Sequence, residues 1–260
     1  MSTGAAILTR RRPFPGVFWE MIRRPVQAMA HVHAQRGWGA IAVLVTLLAA
    51  LPVVAAAPLA SSQAQELMRQ ALESQPGGMG QLSPEMEQQA LASGANPLLI
   101  TVLPALQRVA SVWIGWLLWA GGLSLLSAMT GGKTSFRPLW PVVVWAWLPY
   151  ALRGLLQSAF ILVTGTLIAN PGLSGLVLPQ ETAAGLLAAP PGPGVLALKS
   201  FLTQIDLFLF WNLALLVIGL VVASRLTRRK AILAVLGLWL VLTLIGLVPA
   251  VVSGTMLSRF

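Results

Sequence analysis

The sequence predicts an all-α integral membrane protein with five transmembrane helices and an N-terminal cytoplasmic interfacial amphipathic helix. Three observations predict it. The chain is 57% hydrophobic and only 9% charged, where a soluble domain carries about 25% charged residues. Four apolar stretches are each long enough to cross a hydrocarbon core, and a shorter fifth lies near position 50; a crossing takes about 20 residues. Lys and Arg gather beside these stretches, as membrane orientation requires. Together these features exclude a soluble enzyme. They also exclude an outer-membrane barrel, whose strands are short alternating segments. With no Cys, disulfides, Cys–metal sites and thiol nucleophiles are absent. The net charge of +10 sits at the span ends, so no nucleic-acid partner is expected.

Residues 1–38 form a basic cytoplasmic arm with Arg10, Arg11, Arg12, Arg23, Arg24 and Arg36 against one acid, Glu20. Its apolar residues Phe14, Val17, Phe18, Met21, Ile22, Val26 and Met29 recur with helical spacing. Pro25 kinks this helix or ends it at Arg24. An apolar face opposed by Arg predicts a helix in the headgroup plane. Arg10, Arg11, Arg12, Arg23 and Arg24 are therefore candidate contacts to anionic lipid headgroups. The alternative is an arm that only anchors topology.

The first span is predicted over 39–58. Its Ala55-Ala56-Ala57 end resembles a signal-peptide cleavage site, but the preceding arm is long for one. Residues 59–97 read as an outer loop with short helices, holding Glu66, Glu73, Glu85 and Glu87 and broken at Pro76-Gly77-Gly78. Ser83-Pro84-Glu85 marks a helix start within it. Residues 98–260 form a four-span region, with spans predicted over 98–129, 138–169, 201–224 and 231–256. The linker 170–200 contains Pro190-Pro191-Gly192-Pro193-Gly194 and reads as a stiff loop.

Twelve of the 17 Lys and Arg fall in the arm, the 130–137 loop and the 225–230 loop, while Arg69, Lys199 and Arg259 fall on the other side. The positive-inside rule then places the N-terminus in the cytoplasm and the C-terminus outside a cell membrane.

Charges within spans cost about 2.5–3.5 kcal/mol each. Arg108, Arg153 and Asp206 are the three such charges. Counting about 1.5 Å per residue puts them at similar depth, as a candidate intramembrane polar network with Gln107, Gln157, Gln204 and Asn212 nearby. It reads either as a pocket for an anion or for proton coupling, or as a structural ion pair holding helices together. Pro149 is a candidate helix break, because proline frees a carbonyl one turn earlier; broken helices hold ions in transporters, though neighbours commonly re-satisfy them. Trp113, Trp116 and Trp119 form a stripe that reads as packing. Trp38 and Trp140 read as interfacial belt residues. Ala120, Ser124 and Ala128 form a strip where another helix can approach.

Two motifs fail on chemistry. Gly172-Leu173-Ser174-Gly175 matches a serine-protease pattern, but its base would have to be His, and His31 and His33 both lie in the arm. Gly132-Lys133-Thr134 lacks the earlier Gly and the preceding strand of a phosphate loop. No cluster with metal-ligand spacing exists. No cofactor, metal or catalytic residue is expected.

Gly132, Ser135 and Phe136, then Leu148-Pro149, then Asp206, Phe208 and Trp211, then the basic turn from Arg225 to Lys230, resemble the Yip domain family (Ypt-interacting proteins), prokaryotic type. The specific motifs lie within 131–230. The resemblance implies five spans and a cytoplasmic N-terminus, which agrees with the charge count. Eukaryotic relatives act in vesicle traffic and contact Rab-type GTPases. Their acidic cytoplasmic segment with an aspartate-leucine-tyrosine-glycine-proline stretch is missing here, so that role is not implied. The expected function is a non-enzymatic, membrane-organising scaffold that binds the lipid bilayer, a partner membrane protein or a second copy. The alternative is a small transporter or channel using the charged network.

Overall fold

The computed structural model describes residues 14–35, 38–73, 83, 85, 89, 96–168, 170–177 and 193–257. Arg10, Arg11, Arg12 and the Pro-Gly break at 76–78 lie outside them. Among the described residues the regular elements are all helical. We number them α1 (Phe14–Arg23), α2 (Pro25–Gln35), α3 (Gly39–Glu73), α4 (Leu98–Met129), α5 (Phe136–Ala146), α6 (Leu148–Thr164), α7 (Ser174–Val177), α8 (Pro193–Leu202), α9 (Leu207–Ser224) and α10 (Arg228–Leu257). Five candidate spans are long and apolar enough to cross a membrane: α3, α4, α5–α6 together, α9 and α10. The chain is a multi-pass membrane protein.

Several boundaries differ from the sequence reading, each for a local reason. Pro25 does not merely end a helix. It begins a second one, because a proline at the first helical position forfeits no hydrogen bond. The helix of the first span runs on to Glu73, through Pro52 and Pro58. Beyond residue 58 it is polar and holds itself with the Arg69–Glu73 pair at 3.1 Å and the Gln70–Glu66 bond at 3.1 Å. Those i,i+4 pairs support helix in a segment read as loop with short helices. Part of the predicted stiff linker is the helix α8, which starts at Pro193.

The chain divides into two compact units. The first comprises 1–45, 114–150 and 169–260. In it α2 packs on α9 and α5, α5 packs on α9, and α10 packs on α9 and α8. Its core is Met29 and Val32 of α2, Val142 to Ala146 of α5, Leu213, Leu216 and Leu220 of α9, and Ala231 and Val235 of α10. Between apolar helices in lipid there is little hydrophobic drive, so close packing has to hold them. Gly219 of α9 provides it: a Cβ there would overlap the Val142 side chain and reach Met29 Sδ at 3.4 Å. Gly122 of α4 plays the same part against Leu238 of α10, where a Cβ would lie 2.7 Å from Leu238 Cδ1. The expected small-residue strip contributes Ala120, which is fully buried. A chain of rings joins the helices further: Trp38 to Trp140 at 5.7 Å, Trp140 to Trp116 at 6.2 Å and Trp116 to Trp147 at 6.0 Å, all edge-on. Such contacts favour edge-to-face geometry. Trp38 and Trp140, read as belt residues, thus also pack on one another.

The second unit comprises 46–113 and 151–168. A close helix–helix approach in it is at Gly154 of α6, where a Cβ would overlap the carbonyl of Leu48 on α3 and lie 3.8 Å from Pro52 Cγ. Ser158 is buried beside it and donates to the Gly154 carbonyl at 2.8 Å.

Candidate functional site

The first unit gathers basic residues at one end, and the local sequence explains how. α4 stops at a pair of glycines. Gly131 has φ of +85°, Gly132 N–H donates to the Ser127 carbonyl at 2.7 Å, and Gly131 N–H donates to the Ala128 carbonyl at 3.4 Å. This is a Schellman cap with glycine at the left-handed position. Ser135 follows as the N-cap residue of α5, with extended backbone. The glycine-lysine segment therefore turns one helix into the next, consistent with its failure as a phosphate loop.

That turn is tied to the one joining α9 and α10. Lys133 N–H donates to the Ser224 carbonyl at 3.2 Å, and Lys230 Nζ donates to the Thr130 carbonyl at 2.9 Å. Arg225 caps α9 in the left-handed conformation, at φ 58°. Ser224 Oγ receives Leu226 N–H at 3.3 Å. Arg225, Arg228, Arg229 and Lys230 remain exposed. The ties fix the two turns together, one of them through the Lys230 ammonium itself.

The arm is bound to the same unit. Glu20 of α1 and His31 of α2 lie 3.9 Å apart. Eleven residues of straight helix would separate them by about 16 Å, so the chain bends sharply at Arg24–Pro25. The His31 Nδ1 sits 3.1 Å from the Gln27 carbonyl. Val17, Met21, Ala28, Met29 and Val32 are buried, whereas Trp19, Ile22 and Val26 are exposed. The predicted apolar face is thus divided between the protein and its surroundings. Arg23 and Arg24 are exposed, and Arg23 Cζ lies 5.2 Å from the Trp19 ring centroid, within cation–π range.

The predicted polar network is distributed over both units. Arg108 and Arg153 belong to the second, where Arg108 is exposed and Arg153 half-buried; Asp206 belongs to the first. Asp206 occupies a different kind of place from a mid-span charge. It is the N-cap of α9, with Oδ1 accepting the Leu209 N–H at 2.8 Å. The turn at 203–206 separates α8 from α9, so the run from 201 to 224 is not one helix. The sequence carried that signal: an Asp directly before an apolar helical run is an N-cap pattern.

Pro149 stands two residues after a break at Trp147, where α5 ends and α6 begins. Tyr150 N–H turns back to the Trp147 carbonyl at 3.0 Å. In a continuous helix it would donate to Ala146. The Ala146 carbonyl instead accepts the buried Asn212 Nδ2 at 2.8 Å. Asn212, grouped by sequence with the charged residues, thus satisfies the freed backbone. Ser174 is likewise explained locally: it is buried and donates to the Pro171 carbonyl at 2.6 Å. No group of three or more metal-ligating side chains occurs among the described residues.

The comparisons agree with this architecture. The Yip1 domain model matches residues 19–248. Neither a curated protein nor a solved structure matches the chain. The family match takes in the arm from Trp19 onward and reaches almost to the end of α10, and on that extent the chain belongs to the Yip1 domain family.

Proposed function

We propose that this protein is a non-enzymatic membrane scaffold whose N-terminal arm and α9–α10 turn bind anionic lipid at the cytoplasmic face of a cell membrane. One observation carries the reading: α2 buries Met29 and Val32 against the bundle while Arg23, Arg24, Trp19 and Ile22 stay exposed. An arm anchored on one face and both basic and apolar on the other suits the headgroup boundary. Each exposed Arg near an anionic surface contributes about 1 kcal/mol. The transporter reading draws less support, because the carbonyl that an ion would take at the α5–α6 break is held by Asn212.

The test is the melting temperature of the purified chain with added phosphatidylglycerol or phosphatidylcholine of the same chains. Phosphatidylglycerol is expected to stabilise the wild type more, and the double variant Arg23→Gln, Arg24→Gln is expected to lose most of that difference. Equal stabilisation by the two lipids would overturn the reading.

A further inference from the structure

A groove of about 440 Å³ runs along the first unit between α2, α9 and α10. Val26 of α2, Val217, Ile218 and Val221 of α9, and Ile232 of α10 make its apolar walls, and Arg228 contributes the sole charge among the lining residues. The volume lies within the roughly 300–1,000 Å³ of ordinary ligand sites. Its chemistry is divided lengthwise, apolar along α9 and cationic where α10 begins. We propose that this groove seats one acyl chain of an anionic phospholipid whose phosphate rests on Arg228.

Three features select that occupant. Two of the three walls, α9 and α10, are helices apolar enough to span a membrane, which suits an acyl chain lying along them. Arg228 is the charged end, Arg225 and Arg229 are exposed beside it in the chain, and no acid lines the groove, which complements a net-negative headgroup better than a zwitterionic one. A second copy of the chain would bring two such Arg clusters together, and like charges in an interface are costly. Val26 at the rim belongs to the arm, so the arm helix forms one wall and lipid occupancy would stiffen its seat on α9. The inference rests on the anionic-lipid reading above and assigns it a site.

Native mass spectrometry of the delipidated full chain, titrated with phosphatidylglycerol or phosphatidylcholine, tests it. The wild type is expected to retain one phosphatidylglycerol about tenfold more tightly than phosphatidylcholine. Ile218→Trp fills the groove and should abolish that bound lipid. Val221→Trp does the same from one turn further along, should Ile218→Trp not fold. Arg228→Gln should keep a lipid while losing the preference between headgroups. Retention of the tight lipid in a folded groove-filled variant overturns the groove, and so does a dimer that only that variant loses. The Arg23→Gln, Arg24→Gln variant separates the two claims: it should weaken bulk phosphatidylglycerol binding and leave the single tight lipid in place.

Discussion

The most apolar 18-residue stretches of the consecutive spans α9 and α10 have nearly the same mean hydropathy, 2.4 and 2.7, yet 50% of the first is buried in the protein and only 22% of the second. Hydropathy sorts helix from water. It says nothing about whether a span faces protein or lipid, since both are apolar. What separates the two is what interrupts the leucines. α9 carries Asn212 and Gly219 at positions where a donor and a missing side chain are used. α10 carries Gly237 and Gly246, each with open space where a Cβ would point. The same residue type is a contact in one helix and a spacer in the other.

The contrast can be broken most forcefully at Gly219. Gly219→Val would drive a branched side chain into Val142 and Met29, an overpacking worth about 3 kcal/mol. Melting in detergent should fall sharply or folding should fail. The compensated pair Gly219→Ala, Val142→Ala should recover much of the loss, and no recovery would show that the contact is not the cause.

Asn212→Leu should come next. It keeps the helix apolar but leaves the Ala146 carbonyl without its donor, at about 1 kcal/mol given what interhelical bonds contribute in membranes. A stability equal to wild type would mean that water or another donor reaches that carbonyl.

Asp206→Ala removes the cap of α9 and should cost about 1 kcal/mol, while Asp206→Asn, which still accepts a bond, should cost less. This pair also probes the charged residues. If reconstituted vesicles carrying wild type show an ion or solute flux that Asp206→Asn abolishes without lowering stability, the transporter reading takes the lead. Gly237→Ala is the smallest. It should leave melting unchanged or raise it by about half a kcal/mol, and a loss as large as that at Gly219 would erase the distinction between the two helices.

Much of the fold was legible because insertion is decided locally. Each span is its own apolar run, and each needs only the bilayer to define it. The basic turns were legible for the same reason. What escaped were pairings over distance. Nothing near Asn212 announces a carbonyl 66 positions away. The periodicity of 14–29 said that one face is buried without saying that α5 and α9, rather than headgroups, cover Met29. The helix start at Asp206 was hidden for a different reason. Phe201, Leu202 and Ile205 before it and Leu207 onward after it read as one run interrupted only by Thr203 and Gln204, and hydropathy does not register a helix start within it. The break near Pro149 was expected from the proline. The ring chain through Trp116, Trp140 and Trp147 needed α4 and α5 already side by side.

The clasp between Lys230 and the Thr130 carbonyl joins positions one hundred residues apart. Its two halves leave the ribosome at different times, separated by the synthesis of the helices α5 to α9. Until α10 begins, the Lys230 half of the clasp is missing, although the Lys133–Ser224 bond between the two turns can already form. Closure of the basic end is therefore a late event in biogenesis. A chain truncated before Arg228 would keep the Lys133–Ser224 tie and lack the Lys230 clasp.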